Sequence, residues 1–79
     1  MDNQEFIDIC INKVIEHSKE ELVKEDVFVV WSCKTLQNNK AILSYKRKGA
    51  PLYEFTHNGD KKEIYTDVYI KELNTCFTV

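Results

Sequence analysis

The residues Val27-Phe28-Val29-Val30-Trp31 decide the expected fold, because five β-branched or aromatic side chains follow one another without a polar break. Such side chains favour strands, and an unbroken apolar run is typical of a strand that is covered on both faces. The run therefore predicts a central strand. Trp31 is expected to be a buried packing anchor, and Cys33, two residues further on, is expected to face the same core.

Two more strands are predicted on the C-terminal side of this run. Gln37-Asn38-Asn39 contains residues that tolerate turn geometry, and the alternating segment 41–45 follows as the second strand of a hairpin. Segment 46–51, which contains Gly and Pro, interrupts the pattern, and residues 52–56 form a third short strand. These segments predict an antiparallel sheet of at least three strands.

An amphipathic helix is predicted on the N-terminal side, over residues 3–24. Apolar residues recur there at spacings of three, four and seven, as expected for one face of a helix. The members of this stripe are Phe6, Ile7, Cys10, Ile11, Val14, Ile15 and Leu22. Asp2, followed three residues later by Glu5, has the spacing of a capping box and marks the start of the helix.

The segment after Asn58-Gly59 has two interpretations. Asn-Gly is a strong hairpin signal, but a tight hairpin would set Glu54 opposite Glu63, and like charges directly opposite each other are destabilising. A helix capped by Asp60, with Glu63 three residues later, is therefore preferred. The strand propensity of Ile64-Tyr65-Thr66 leaves a fourth strand open.

The expected fold is a single α+β domain over residues 1–79. Its elements follow the order α-β-β-β-α, with a three-stranded antiparallel sheet packed against two helices, the second over residues 60–73. A chain of 79 residues suits one domain with one core. It buries only roughly 60% of its unfolded surface, which leaves little room for a deep active site.

No catalytic, cofactor or metal site is expected. Gly49 and Gly59 are the only glycines and both fit turns, so there is no glycine-rich phosphate loop. His17 and His57 have no partner nearby in the sequence for nucleophilic catalysis. The acidic run in residues 20–26 lacks the alternating oxygens and the glycine of a calcium loop.

The chain is expected to act in a cytoplasm and without a membrane partner. Its first residues lack the basic and apolar regions of a signal peptide, and no apolar run approaches the ~18–20 residues that cross a bilayer. Three cysteines without CxxC spacing favour reduced thiols over a disulfide framework or zinc site. Cys10 and Cys76 are expected to be core residues on helical stripes.

Charge is unevenly distributed, although the net charge is only −2. Residues 1–26 carry eight acids against three bases, whereas residues 27–59 carry one acid against five bases. Two separable binding patches are therefore expected. The acidic patch, on the first helix, contains Glu16, Glu20 and Glu21. The basic candidates are Lys34, Lys40, Lys46, Arg47, Lys48, Lys61 and Lys62.

The basic residues suggest nucleic-acid binding as an alternative function. Lysines at the start of a final helix, in the order α-β-β-β-α, are similar to the layout of a double-stranded RNA-binding domain, which contacts duplex phosphates and the minor groove. Nucleic-acid binding through the basic hairpin is therefore the alternative. The acidic net charge and Glu63, which interrupts the lysine cluster, argue against it.

Two stretches of the chain resemble a known family. Val30–Ala41 (VWSCKTLQNNKA) and Thr56–Glu63 (THNGDKKE) look like a family of small uncharacterised proteins encoded by phages and prophages of Firmicutes, and the similarity extends over nearly the whole chain. The family has no assigned activity, so no site residue is carried over. The resemblance implies a phage protein in a bacterial host cell, where proteins of this size commonly bind and inhibit or redirect a host protein.

The leading functional hypothesis is a non-enzymatic module that binds a host protein, such as a defence or replication factor. Nucleic-acid binding is the second hypothesis. A small enzyme or nucleotide-binding protein, with its pocket formed between the subunits of a homo-oligomer, is the third. Salt separates the first two, because phosphate binding weakens steeply with salt whereas an apolar interface hardly changes.

Overall fold

The computed structural model describes residues 1–79 and shows one α-helix packed on a four-stranded antiparallel sheet. The strands lie in the order β1-β2-β3-β4, so each is joined to its neighbour by a hairpin connection. A short 3₁₀ turn precedes β1. The bounds are α1 Asn3–Ser18, the turn Lys24–Asp26, β1 Val27–Thr35, β2 Asn38–Tyr45, β3 Leu52–Asn58 and β4 Glu63–Tyr69.

The predicted second helix is wrong, and so is the three-stranded sheet that went with it. Residues 63–69 form β4, and residues 70–79 have no regular secondary structure. Asp60 has no helix to cap, and its carboxylate instead accepts a hydrogen bond from Gln37 Nε2 at 2.8 Å. Lys62 lies in the left-handed region at φ 56°, a conformation that does not continue a right-handed helix. The fold nevertheless is a small α+β domain, as expected.

The register of the last hairpin removes the objection to a fourth strand. Asn58 pairs with Glu63 across a four-residue loop, so Glu54 lies opposite Asp67 and not opposite Glu63. Glu54 and Asp67 therefore face each other. Lys40 reduces the repulsion between them, because its Nζ lies 3.4 Å from Glu54 Oε2. A two-residue Asn-Gly turn was the wrong assumption.

The two sheet turns at this end contact each other. The Gly59 amide donates to Asn38 Oδ1 at 3.0 Å. A Cβ at Gly59 would lie 2.2 Å from the Gln37 carbonyl oxygen, so only glycine allows this approach. The first turn consists of Leu36 and Gln37, with Leu36 at φ 55°, and lies slightly before the predicted turn.

Helix α1 begins as predicted but ends earlier. The Asp2 carboxylate accepts the Glu5 amide at 2.8 Å, and this hydrogen bond lowers the pKa of Asp2. The helix ends at Ser18, because Lys19 adopts the left-handed conformation at φ 59°. Leu22, expected on the helical stripe, instead reaches the core from the loop that follows.

The core lies between α1 and one face of the sheet. Phe6, Cys10 and Val14 of the predicted stripe are completely buried there, against aromatic residues of the central strands. Tyr53 and Phe55 stack with ring centroids 6.3 Å apart. The molecule is correspondingly thin, with extents of 44 × 36 × 17 Å.

Strand β1 is an edge strand, which contradicts the expected central position. Its Val27 is buried, but Phe28, Val29 and Val30 are all exposed. The register shifts between Val29 and Trp31, so a bulge interrupts the strand. Bulges on edge strands hinder further strand pairing, which protects an apolar edge of this kind.

Candidate functional site

One face of the sheet has no second layer, and we call it the open face. Paired residues in antiparallel strands point to the same side, so the strand register identifies its members. It consists of Phe28, Trp31, Cys33, Thr35, Asn38, Lys40, Ile42, Ser44, Leu52, Glu54, Thr56, Asn58, Glu63, Tyr65, Asp67 and Tyr69. The opposite face is covered by α1 over β2 and β3, where its residues are buried.

Aromatic and aliphatic side chains dominate one end of the open face. Phe28 lies next to Ser44 on β2, and Leu52 lies next to Tyr69 on β4. Trp31 is paired with Ile42 and is 49% exposed, so the expectation that it is a buried anchor is wrong. Contiguous exposed apolar surface of this kind marks interaction sites in soluble proteins.

A shallow groove of about 340 Å³ runs from Trp31 toward the polar end of the open face. Cys33, predicted to be buried, is exposed and lines this groove together with Lys40 and Thr56. Cys33 Sγ lies 3.6 Å from Thr35 Oγ1. The groove therefore combines one indole ring with thiol, hydroxyl and ammonium groups.

The open face carries negative charge. Its one base, Lys40, is already paired with Glu54, and Asp67 and Glu63 have no basic partner on this face. The Tyr69 hydroxyl donates to Glu54 Oε1 at 3.1 Å, and this bond raises the pKa of Tyr69. The charge of Glu63 likewise raises the pKa of Tyr65. The face is thus apolar at one end, with carboxylates along β3 and β4.

The acidic patch and the basic loop 46–48 approach each other at Arg47. Arg47 Nη1 lies 3.6 Å from Asp26 Oδ1, and Arg47 Nη2 donates to the Glu21 carbonyl oxygen at 3.4 Å. The amide of Val23 and the Arg47 guanidinium together lower the pKa of Asp26. Tyr45 lies close to Arg47. Burial is the main cause that raises the pKa of Tyr45, and the contact with Glu20 raises it further. Local compensation therefore reduces the polarity expected from the charge blocks.

The remaining candidate residues are dispersed. Glu16 pairs with Lys13 at 3.7 Å on the solvent side of α1. Lys34 donates to the Leu36 carbonyl oxygen at the first turn. Lys61 and Lys62 lie in the loop before β4, at the end of the sheet opposite to the basic residues 46–48. β2 separates these ends by about 23 Å. Of all the charged candidates, only Lys40 belongs to the open face.

Both histidines have partners that the sequence did not reveal. His17 Nδ1 lies 2.8 Å from the Tyr53 hydroxyl, and the buried His57 has Nδ1 2.8 Å from Asn39 Oδ1. Asn39 Nδ2 in turn donates to Asn3 Oδ1 at 3.4 Å. These contacts join α1 to β2 and β3. The contacts of His17 and of Asn3 therefore help to hold the helix on the sheet.

Cys10 of α1 lies in the core, where its side chain is completely buried. Burial raises the pKa of the Cys10 thiol to about 12, so it stays protonated. No group of three or more His, Cys, Asp or Glu side chains is arranged to hold a metal ion. None of the helices has the length and apolar character that crossing a membrane requires.

Sequence reasoning missed the open face, although its residues were visible. Phe28 and Trp31 belong to a continuous apolar run, and such a run does not show which side of a strand is covered. The alternation of Leu52, Glu54 and Thr56 with buried aromatic residues was the better signal. That alternation is typical of a strand with one solvated face.

Fold and surface together define a small α+β domain with one uncovered sheet face. A family of unknown function, DUF6275, matches residues 4–79, and the chain belongs to this family. The expectation that an uncharacterised family covers nearly the whole chain is confirmed. Neither the curated proteins nor the solved structures include a significant match to the chain.

Proposed function

We propose that this protein is a non-enzymatic binding module that engages a partner protein through its open face. The observation that carries the proposal is the exposed aromatic end of that face, around Phe28 and Trp31. Aromatic side chains are enriched at the centres of protein interfaces, where they contribute most of the binding energy. A folded domain gains nothing in stability from exposing them, and a binding surface explains their position.

The total surface area supports a missing partner. The chain exposes 6032 Å², whereas a compact monomer of 9.3 kDa exposes about 5,000 Å². The excess is about 1,000 Å², compared with the roughly 800 Å² that each protein contributes to a standard interface. The excess is therefore of the size that one protein interface would cover.

The charge of the open face favours a protein over a nucleic acid. Glu54, Glu63 and Asp67 outnumber Lys40 there, and phosphates would be repelled. The complementary ligand is an apolar segment flanked by basic side chains. The lysines that suggested duplex binding lie at opposite ends of the sheet, and the helix on which that comparison depended is not present.

The biological setting rests on the resemblance to phage and prophage proteins. In that setting the partner is a protein of the bacterial host, encountered in the cytoplasm, such as a defence or replication factor. Binding would inhibit or redirect this host protein. No catalytic step by this chain is required for such a role.

The test is an affinity capture from infected and uninfected host lysates, with and without nuclease. The face variant replaces Phe28 and Trp31 by Ser, and the matched control replaces Lys46 and Lys48 by Glu, leaving Arg47 paired with Asp26. We expect the wild-type and the control protein to capture a host protein, and we expect the face variant to capture none. Circular dichroism checks that each variant is folded.

The competing results are distinct. Capture that disappears after nuclease treatment, or in the Lys46 and Lys48 variant alone, would support nucleic-acid binding instead. Capture that persists in the folded face variant would remove the open face as the site. Binding of a protein through the apolar end should also weaken less steeply with salt than binding to phosphates does.

A further inference from the structure

A second apolar surface lies in residues 70–79, which we call the trailing segment. Its Ile70, Leu73 and Phe77 are each more than three-quarters exposed, and the segment has no regular structure. Their spacings of three and four place them on one side of a helix. The polar residues Lys71 and Glu72 fall between them. Such a segment has the pattern of an amphipathic helix without a surface to pack on.

The trailing segment and the open face are complementary in kind. The segment leaves β4 at Tyr69, beside the apolar end of the open face, and a shallow pocket lies between Leu52, Tyr69 and Ile70. Leu73 and Phe77 do not pack on their own open face, since both side chains are more than three-quarters exposed. The segment and the open face are therefore both left uncovered within one chain, and each is free to contact another molecule.

We infer that two copies of this chain associate reciprocally, with the trailing segment of each copy packed on the open face of the other. Such an exchange is isologous and closes at two subunits. Each contact buries Leu73 and Phe77 of one copy near Phe28 and Trp31 of its partner. The one interface covers both apolar surfaces of each chain.

Other arrangements of two copies fit the surface less well. Direct stacking of two open faces would bring Glu54 and Asp67 of both copies together, which like charges oppose. Pairing between two β1 edges is hindered by the bulge between Val29 and Trp31. The trailing segment carries one base, Lys71, and one acid, Glu72, so its approach to the acidic face meets no net repulsion.

The dimensions agree with a segment exchange. The radius of gyration is 13.9 Å, whereas a compact chain of this length has about 12 Å. The excess surface of about 1,000 Å² per chain is enough for one stable dimer interface. The trailing segment contributes much of this excess, because all of residues 70–79 are exposed.

Self-association would also regulate the proposed function, and this one consequence rests on that proposal. The trailing segment and the partner protein would occupy the same apolar end of the open face. Partner binding would therefore require displacement of the segment. The dimer itself is measured on the purified protein alone, so its failure and the failure of partner binding are separate results.

The first experiment measures mass by sedimentation over a range of protein concentrations, together with tryptophan emission. Trp31 is the only tryptophan and lies on the open face, so its emission reports coverage of that face. We expect a concentration-dependent dimer and a blue shift of emission that follows dimer formation. A monomer at all concentrations, or growth beyond a dimer, would overturn the inference.

The second experiment alters the segment without touching the sheet. The segment variant, Leu73→Asp with Phe77→Asp, should weaken dimerisation by on the order of a hundredfold or more, because two apolar side chains lose their burial. The matched control, Asn74→Asp with Thr75→Asp, adds the same charge at polar positions and should still form the dimer. An unchanged dimer in the segment variant contradicts the exchange.

Mixing two variants distinguishes exchange from packing within one chain. The segment variant keeps Trp31 and an intact face, whereas the Phe28→Ser, Trp31→Ser variant has an intact segment and no tryptophan. Adding the second protein to the first should shift Trp31 emission to the blue, since one of the two contacts can form. No shift in the mixture, or a blue shift in the monomer alone, overturns the exchange.

Discussion

The two faces of the same sheet differ in what covers them, although both carry aromatic side chains. Tyr53 and Phe55 on the covered face are almost completely buried under α1, whereas Trp31 and Tyr69 on the open face are about half exposed. Aromatic residues alone therefore do not mark a core. The second layer decides whether a strand face stabilises the fold or is available for binding.

The largest expected effect compares an aromatic residue from each face. Phe55→Ala should destabilise the fold by about 3–5 kcal/mol, because it removes a fully buried ring that stacks on Tyr53. Trp31→Ala should cost no more than about 2 kcal/mol, because half of the ring already contacts water. Urea denaturation of both variants measures the difference. Equal losses would mean that the open face is part of the folding core.

The second comparison uses the thiols. Cys10 is fully buried beneath α1 and its pKa is about 12, whereas Cys33 and Cys76 are exposed. The thiolate is the reactive form, so Cys10 should be alkylated more slowly by on the order of a hundredfold or more. Mass spectrometry of the dilute protein should show two rapid modifications and a third only after denaturant is added. Three rapid modifications would show that the covered face opens readily.

A smaller effect is expected from polar residues on adjacent strands. Asn39→Ala should cost about 1–3 kcal/mol, because it leaves the buried His57 ring without its hydrogen-bond partner. Thr56→Ala, on the open face of β3, should change stability by less than about 0.5 kcal/mol. Thermal unfolding of the two variants gives the comparison. A costly Thr56 substitution would indicate a structural role for the groove.

The smallest effect separates two causes of a raised pKa. Burial raises the pKa of Tyr53, whereas the hydrogen bond to Glu54 raises the pKa of Tyr69, since a nearby carboxylate opposes a phenolate. Glu54→Gln should therefore lower the pKa of Tyr69 toward 10.0 and leave that of Tyr53 raised. Tyrosine ring signals in an NMR titration measure both. If the substitution changed the pKa of Tyr53 and not that of Tyr69, the assignment of these residues to opposite faces would be contradicted.

Several elements could be predicted from local signals. The start of α1 followed from Asp2, and the stripe of Phe6, Cys10 and Val14 correctly identified the helical part of the core. β4 was missed for a specific reason. A two-residue turn was assumed at Asn58-Gly59, whereas the chain uses a four-residue loop whose Asp60 is bound by Gln37 from another turn.

The candidate site could not be derived in the same way. The charged residues of the acidic patch and the basic loop were far apart in sequence, and the fold placed Glu21 and Arg47 in contact. The open face is made of alternate residues on four strands, so it exists only once the strand order and register are set. Spacing along the chain does not contain that information.

The sequence by itself determined the local structure of this protein: where the helix starts, which runs favour strands, and where turns interrupt them. Those properties depend on neighbouring side chains and on backbone preferences, which act over a few residues. Only the tertiary structure decided that β1 is an edge, that β4 completes the sheet, and that Trp31 faces solvent. Burial depends on which second layer covers a face, and a single helix of 16 residues covers only one of the two faces.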